Sequence, residues 1–109
     1  MSLSARVRIP THAHVGEVIE IRTLVNHPME TGFRVDSFGR RIPRNILTRF
    51  RCHYAGREIV SMDLRPGMAA NPYLAFRFVA DVSGDIELRW EGDQGEALIE
   101  RGHIEVSSA

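Results

Sequence analysis

Lysine is absent from this chain: all fourteen basic residues are arginine. No side-chain amine is therefore available to form a Schiff base. Every fixed cation is instead a planar fork suited to carboxylates and oxyanions. Cysteine occurs once, as Cys52, which excludes an internal disulfide and a cysteine-built zinc cage. There is no excess charge of either sign, since fourteen acidic residues balance the arginines. Composition thus gives no case for nucleic acid or an anionic membrane as the main partner. No apolar window approaches the length needed to span a membrane. The N-terminal MSLSARVRIP lacks the apolar run of a secretory signal. Taken alone, the sequence predicts a soluble chain without an export signal of its own.

What is present is a set of short alternating runs. At 109 residues the chain has the size of one domain, and a single domain over residues 1–109 is expected. A chain of this length buries a core without covalent staples. Ala5–Pro10 alternates apolar and charged residues. Glu17–Val25 follows Gly16 and sets Ile19, Ile21 and Val25 on one face. Leu47–Tyr54 alternates Phe50, Cys52 and Tyr54 against Arg49, Arg51 and His53. Ala55-Gly56 reads as a hairpin turn returning through Glu58–Leu64. Leu74, Phe76 and Phe78 make another inward row, as do Ile86, Leu88 and Trp90 after the Ser83-Gly84 turn. EGDQGE turns again, and Ala97–Glu100 with His103–Val106 completes the pattern. The period is two throughout, with turn chemistry between runs and no helical stripe. About seven short strands in a chain of this length predict an all-β fold, an immunoglobulin-like antiparallel β-sandwich.

One stretch breaks the pattern: NHPMETGFRVDSFGRRIPR, Asn26 to Arg44. A connection of about twenty residues is unusual inside a compact domain unless it is functional or disordered. Disorder does not suit it, because Met29, Phe33, Val35, Phe38 and Ile42 supply apolar side chains that disordered segments lack. FRVDSFGRRI has the makings of a small hairpin turning at Ser37-Phe38-Gly39. The segment is therefore predicted to be an ordered protrusion with an apolar component and a basic rim of Arg34, Arg40, Arg41 and Arg44, as a partner-binding surface needs. A second segment, Met68–Phe76 (MAANPYLAF), is apolar and broken by Pro72. It reads as a core-lining bend or a contact patch.

Catalytic readings fare worse. His12, His14, His27, Glu30, His53 and His103 are metal-ligating types, and His12 and His14 share a face if extended. They carry no spaced signature, and ordinary hydrogen-bonded histidines are the plainer account. His53 neighbours Cys52, but adjacent strand residues point to opposite faces, so it is not placed to act as its base. Cys52 shares its face with Phe50 and Tyr54, and a cysteine in apolar surroundings is inert. The acidic residues fall at turns and outward positions, as a solvated face requires.

In their order and spacing HPMETG, IPRNI, FRCHYAG, ANPYLAF and the run from SGDIELRW to DQG resemble the SoxZ family, a subunit of the SoxYZ carrier of bacterial sulfur oxidation. The resemblance covers nearly the whole chain, roughly Arg6 to Val106. It implies an immunoglobulin-type sandwich that is not an enzyme and needs no cofactor or metal. Its partner would be SoxY, as a heterodimer or heterotetramer, with transient contacts to other Sox enzymes. SoxY would bear the reactive cysteine on a glycine-rich C-terminal arm, and this chain, ending HIEVSSA, carries no such arm. Thiosulfate oxidation by such carriers implies a periplasmic location, reached by co-export with a signal-bearing partner. Within the long loop, His27, Met29, Glu30, Arg40, Ile42 and Arg44 are expected to face SoxY or a Sox enzyme. The rival readings are an immunoglobulin-like metal or redox protein using the histidines, a carrier module of another periplasmic oxidation, and a homodimer joined through the loop.

Overall fold

The structure, a computed structural model, describes residues 4–65 and 70–108. Met68 and Ala69 of the Met68–Phe76 segment lie outside the described residues. The chain is all-β, with strands β1 (Ser4–Arg8), β2 (His12–His14), β3 (Val18–Asn26), β4 (Leu47–Tyr54), β5 (Arg57–Asp63), β6 (Tyr73–Val79), β7 (Gly84–Gly92) and β8 (Ala97–Ser107). They form a three-stranded sheet, β1-β3-β6, and a five-stranded sheet, β2-β8-β7-β4-β5. This is the immunoglobulin-like sandwich that period-two alternation predicts.

The alternating residues meet between the sheets. Ile19, Ile21 and Val25 of β3 are buried, as are Phe50, Cys52 and Tyr54 of β4 and Ile86, Leu88 and Trp90 of β7. The Phe50 ring lies 5.1 Å from Trp90 and 5.8 Å from Phe76 of the opposite sheet. Tyr54 packs on Phe78 at 5.0 Å. Its hydroxyl donates to the Val82 carbonyl, which satisfies a polar tip that would otherwise be stranded. Ala55 and Gly56 both have positive φ, 51° and 79°, the backbone a two-residue hairpin prefers.

The described residues make eight strands where about seven were expected, and the extra one is β2. The chain leaves β1 at Ile9, crosses at Pro10 from one sheet to the other, and pairs His12–His14 with β8. That pairing is parallel, whereas the other strand pairs are antiparallel. Three residues are too few to show a period in sequence. The last strand also runs unbroken through Gly102, where the sequence shows a gap between two runs. Gly102 keeps its place opposite Ile86. A Cβ there would lie 3.0 Å from Ile9 Cδ1, so the glycine makes room for the crossing chain.

Candidate functional site

The irregular segment folds as a finger projecting from one end of the sandwich. At its root Glu30 and Asn45 exchange backbone bonds, N–H to O, at 2.7 and 2.8 Å. Gly32 takes φ 89°, and a Cβ on it would sit 3.1 Å from Arg44 Cβ. Both counts favour glycine there. Farther out Val35 bridges Arg41, and Ile42 N donates to Arg34 O at 2.9 Å. The chain reverses over Asp36–Arg40, around the expected Ser37-Phe38-Gly39. Asp36 builds the turn: its Oδ1 accepts from Phe38 N (2.8 Å) and Arg40 N (2.9 Å).

A second set of contacts clamps the root to the β7–β8 turn. Asp93 Oδ1 accepts from Ile46 N at 3.1 Å, and Asp93 Oδ2 accepts from Arg44 Nε at 3.1 Å. Gln94 Nε2 donates to the Arg44 carbonyl at 2.7 Å. The EGDQGE turn thus fixes where the finger points.

The finger presents apolar rings to solvent. Phe33 is 80% exposed and Phe38 79%, with Val35 at 60%. The Arg40 guanidinium lies over the Phe38 ring, 5.3 Å from its centre. Arg34 pairs with Glu30, Arg40 with Asp36 at 3.7 Å, and Arg44 with Asp93. The bond from Arg34 holds the Glu30 carboxyl below its usual range, with burial opposing it. Among the described residues Arg41 has no carboxylate within ion-pair distance. It is exposed beside Val35.

Of the six residues expected to face a partner, the structure divides the set. Arg40 and Arg44 are exposed, and Ile42 and Glu30 are partly so. His27 and Met29 are buried, at 4% and 5% exposure, and so do not present a surface in this chain. Their side chains hold the root instead. His27 Nδ1 accepts from Met29 N at 3.0 Å. His27 N donates to Asn71 Oδ1 at 2.9 Å, and Asn71 N returns a bond to His27 O at 2.7 Å. Met29 Sδ accepts from Leu47 N at 3.3 Å, and Met29 itself takes φ 50°. A polar histidine and a flexible thioether in HPMETG look like surface groups only while their backbone partners are unknown. Phe33 and Phe38, which are not among those six, are the most exposed apolar side chains of the finger, and the hairpin turn expected at Ser37-Phe38-Gly39 is the sequence signal for one of them.

The histidines do not converge. His12 Nδ1 meets Thr11 Oγ1 at 3.0 Å, and His14 Nδ1 meets Ser107 Oγ at 3.3 Å. His103 sits between Asp85 (2.8 Å) and Glu105 (3.7 Å). Among the described residues no three His, Cys, Asp or Glu side chains gather around a common point. The hydrogen bond to Asp85 raises the His103 pKa, and the Asp85 and Glu105 charges add to it. With the folded-state value above the unfolded one, this interaction stabilises the fold at acidic pH and is lost as pH rises through the folded-state value. A proton NMR titration should place the His103 midpoint above 6.5, and Asp85→Asn should move it down.

Cys52 is fully buried, and burial pushes its thiol up to about 12. It is a thiol, not a thiolate, at any physiological pH. Iodoacetamide at pH 8 should leave it unmodified in the native protein and label it fully in denaturant, as intact mass would report. Rapid native labelling would overturn its placement in the core.

Fold and site together define an immunoglobulin-like module whose conspicuous feature is an aromatic-tipped, arginine-bearing finger suited to docking. The family follows from the sequence: the chain belongs to the SoxZ family, described as sulphur oxidation protein SoxZ, which matches residues 7–101. Comparison with curated proteins returns no match. Among solved structures it is similar to a superoxide reductase (neelaredoxin) from Ignicoccus hospitalis, with TM-score 0.68, 15% identity, 95% of this chain and 80% of that chain. It is also similar to the sulfur carrier protein SoxY from Chlorobium limicola f thiosulfatophilum, with TM-score 0.64, 13% identity, 94% of this chain and 78% of that one. At such identities the likeness is one of fold.

Proposed function

We propose that this chain is the non-catalytic subunit of a SoxYZ-type sulfur carrier. It binds SoxY and helps present SoxY-bound sulfur intermediates to other Sox enzymes during thiosulfate oxidation. Membership of the SoxZ family carries the pathway. The exposed finger is the observation that favours a docking role: two aromatic rings, Phe38 at the turn and Phe33 nearer the root, stand in water on an otherwise well-anchored hairpin, and exposed aromatic anchors are what tight interfaces bury. The buried, protonated Cys52 supports placing the carrier thiol on the partner. Phe33, Val35, Phe38, Arg40, Arg41, Ile42 and Arg44 form the contact set in this reading. Glu30 holds Arg34, while His27 and Met29 act from beneath. The complex works in the periplasm, exported with a signal-bearing partner.

The test is to mix the purified chain with SoxY of the same operon and measure mass by size exclusion with light scattering. A stable one-to-one species, or a heterotetramer built from it, is expected. Two separate peaks at micromolar concentration would sink the partner assignment.

A further inference from the structure

The outer face of the three-stranded sheet carries a second surface, on a different part of the molecule from the finger. Alternation turns Arg6 and Arg8 of β1, Arg22 of β3 and Arg77 of β6 outward, with Glu20 as the facing carboxylate among these strands. Glu20 is already held by Arg22 at 2.5 Å and by Arg77 at 3.2 Å. Arg6 and Arg8 have no carboxylate partner among the described residues. A chain of zero net charge therefore concentrates cations on one sheet face.

The same face has an unfinished edge. In an antiparallel ladder, successive residues direct their backbone groups to alternate sides. Ala80 N donates to Glu17 O at 2.8 Å, and Val25 N donates to Pro72 O at 3.1 Å. The odd-numbered residues of β3 thus bond toward β6. The even-numbered ones turn the other way, and β1 covers them only from Arg22 to Asn26. Beyond Arg8 the chain departs for the other sheet at Pro10, which has no N–H to offer. Val18 and Glu20 are left with N–H and C=O directed into a hollow of about 690 Å³, walled by Arg8, Pro10, Thr11, Glu17 and Arg22. An edge of four residues, about 13 Å at strand spacing, lies open beside Arg8, the arginine of this hollow that has no carboxylate partner among the described residues.

We infer that this edge accepts an extended, carboxylate-bearing segment of a partner protein, which adds as a strand beside Val18–Ile21 in line with β1. Backbone bonds to Val18 and Glu20 supply the pairing, and Arg8, whose guanidinium is not engaged by a carboxylate, selects an acidic side chain. A second copy of this chain is the poorer occupant, because edge-to-edge pairing would set two arginine faces together. The inference stands apart from the SoxY assignment and uses none of the finger.

The probe is a capped peptide of about eight residues alternating glutamate and valine, titrated into the full-length, isotope-labelled chain and followed by amide NMR. Shifts centred on Val18 and Glu20 are expected, with exchange of those two amides slowed. Arg8→Glu should weaken binding by about tenfold or more. Val18→Pro should do the same while leaving the fold intact, because proline is tolerated at the first residue of a strand. If Val18→Pro fails to fold, Arg8→Glu decides alone. The inference is overturned by shifts confined to other residues, by equal binding of an arginine–valine peptide, or by an unchanged affinity in Arg8→Glu. Concentration-dependent self-association through these amides, or their protection by anionic vesicles but not by the acidic peptide, would likewise overturn it.

Discussion

Phe33→Ser combined with Phe38→Ser is expected to weaken SoxY capture by about 100-fold while leaving the melting temperature unchanged. The two rings are 80% and 79% exposed, so in the free chain they contribute little to the core. On docking, each can remove a large apolar area from water, and buried aromatic anchors are worth about 2 kcal/mol or more apiece in an interface. Part of that is spent on ordering the tip, which is why the expected loss is nearer two decades than three. Arg40 stacks on Phe38 at 5.3 Å and should lose its fixed orientation in the variant. Isothermal titration calorimetry against SoxY reads the affinity, and calorimetric melting controls for the fold. A change of less than about threefold would move the interface off the finger.

Met29→Ala tests the opposite expectation. Met29 is buried and its sulfur accepts the Leu47 N–H. Truncating a buried methionine leaves a cavity and costs about 2–5 kcal/mol. In a domain of this size that lowers the melting temperature by about 10 °C or more. The finger tip is unaltered, so SoxY affinity at a temperature where the variant is folded should stay within about threefold of wild type. A variant that melts normally but binds weakly would place Met29 in the interface and contradict its burial.

Strand β4, Leu47–Tyr54, was legible to the residue because its inward and outward positions differ sharply in polarity. So was the turn at Ala55-Gly56. Both are local: a period of two and a pair of residues with positive φ need no knowledge of distant neighbours. Strand β2 was not legible, since three residues have no period and its partner lies about ninety residues away in β8. In the finger, the hairpin turn was readable from FRVDSFGRRI, but the direction of each side chain was not. His27 is buried because Asn71, Met29 and the Glu96 turn close around it, and none of these is encoded near it except Met29.

An all-β sandwich, the inert setting of Cys52, the position of the protruding hairpin and the SoxZ family are all readable along the chain. Each rests on alternation, on turn chemistry or on ordered motifs along the chain. Tertiary structure alone decided which finger residues reach solvent, how the β7–β8 turn clamps the root, and that the departure of β1 at Pro10 leaves Val18 and Glu20 unpaired beside Arg8 and Arg22. The reason is that burial and pairing belong to contacts between residues far apart in the chain, and a one-dimensional pattern records only how each residue relates to its immediate neighbours.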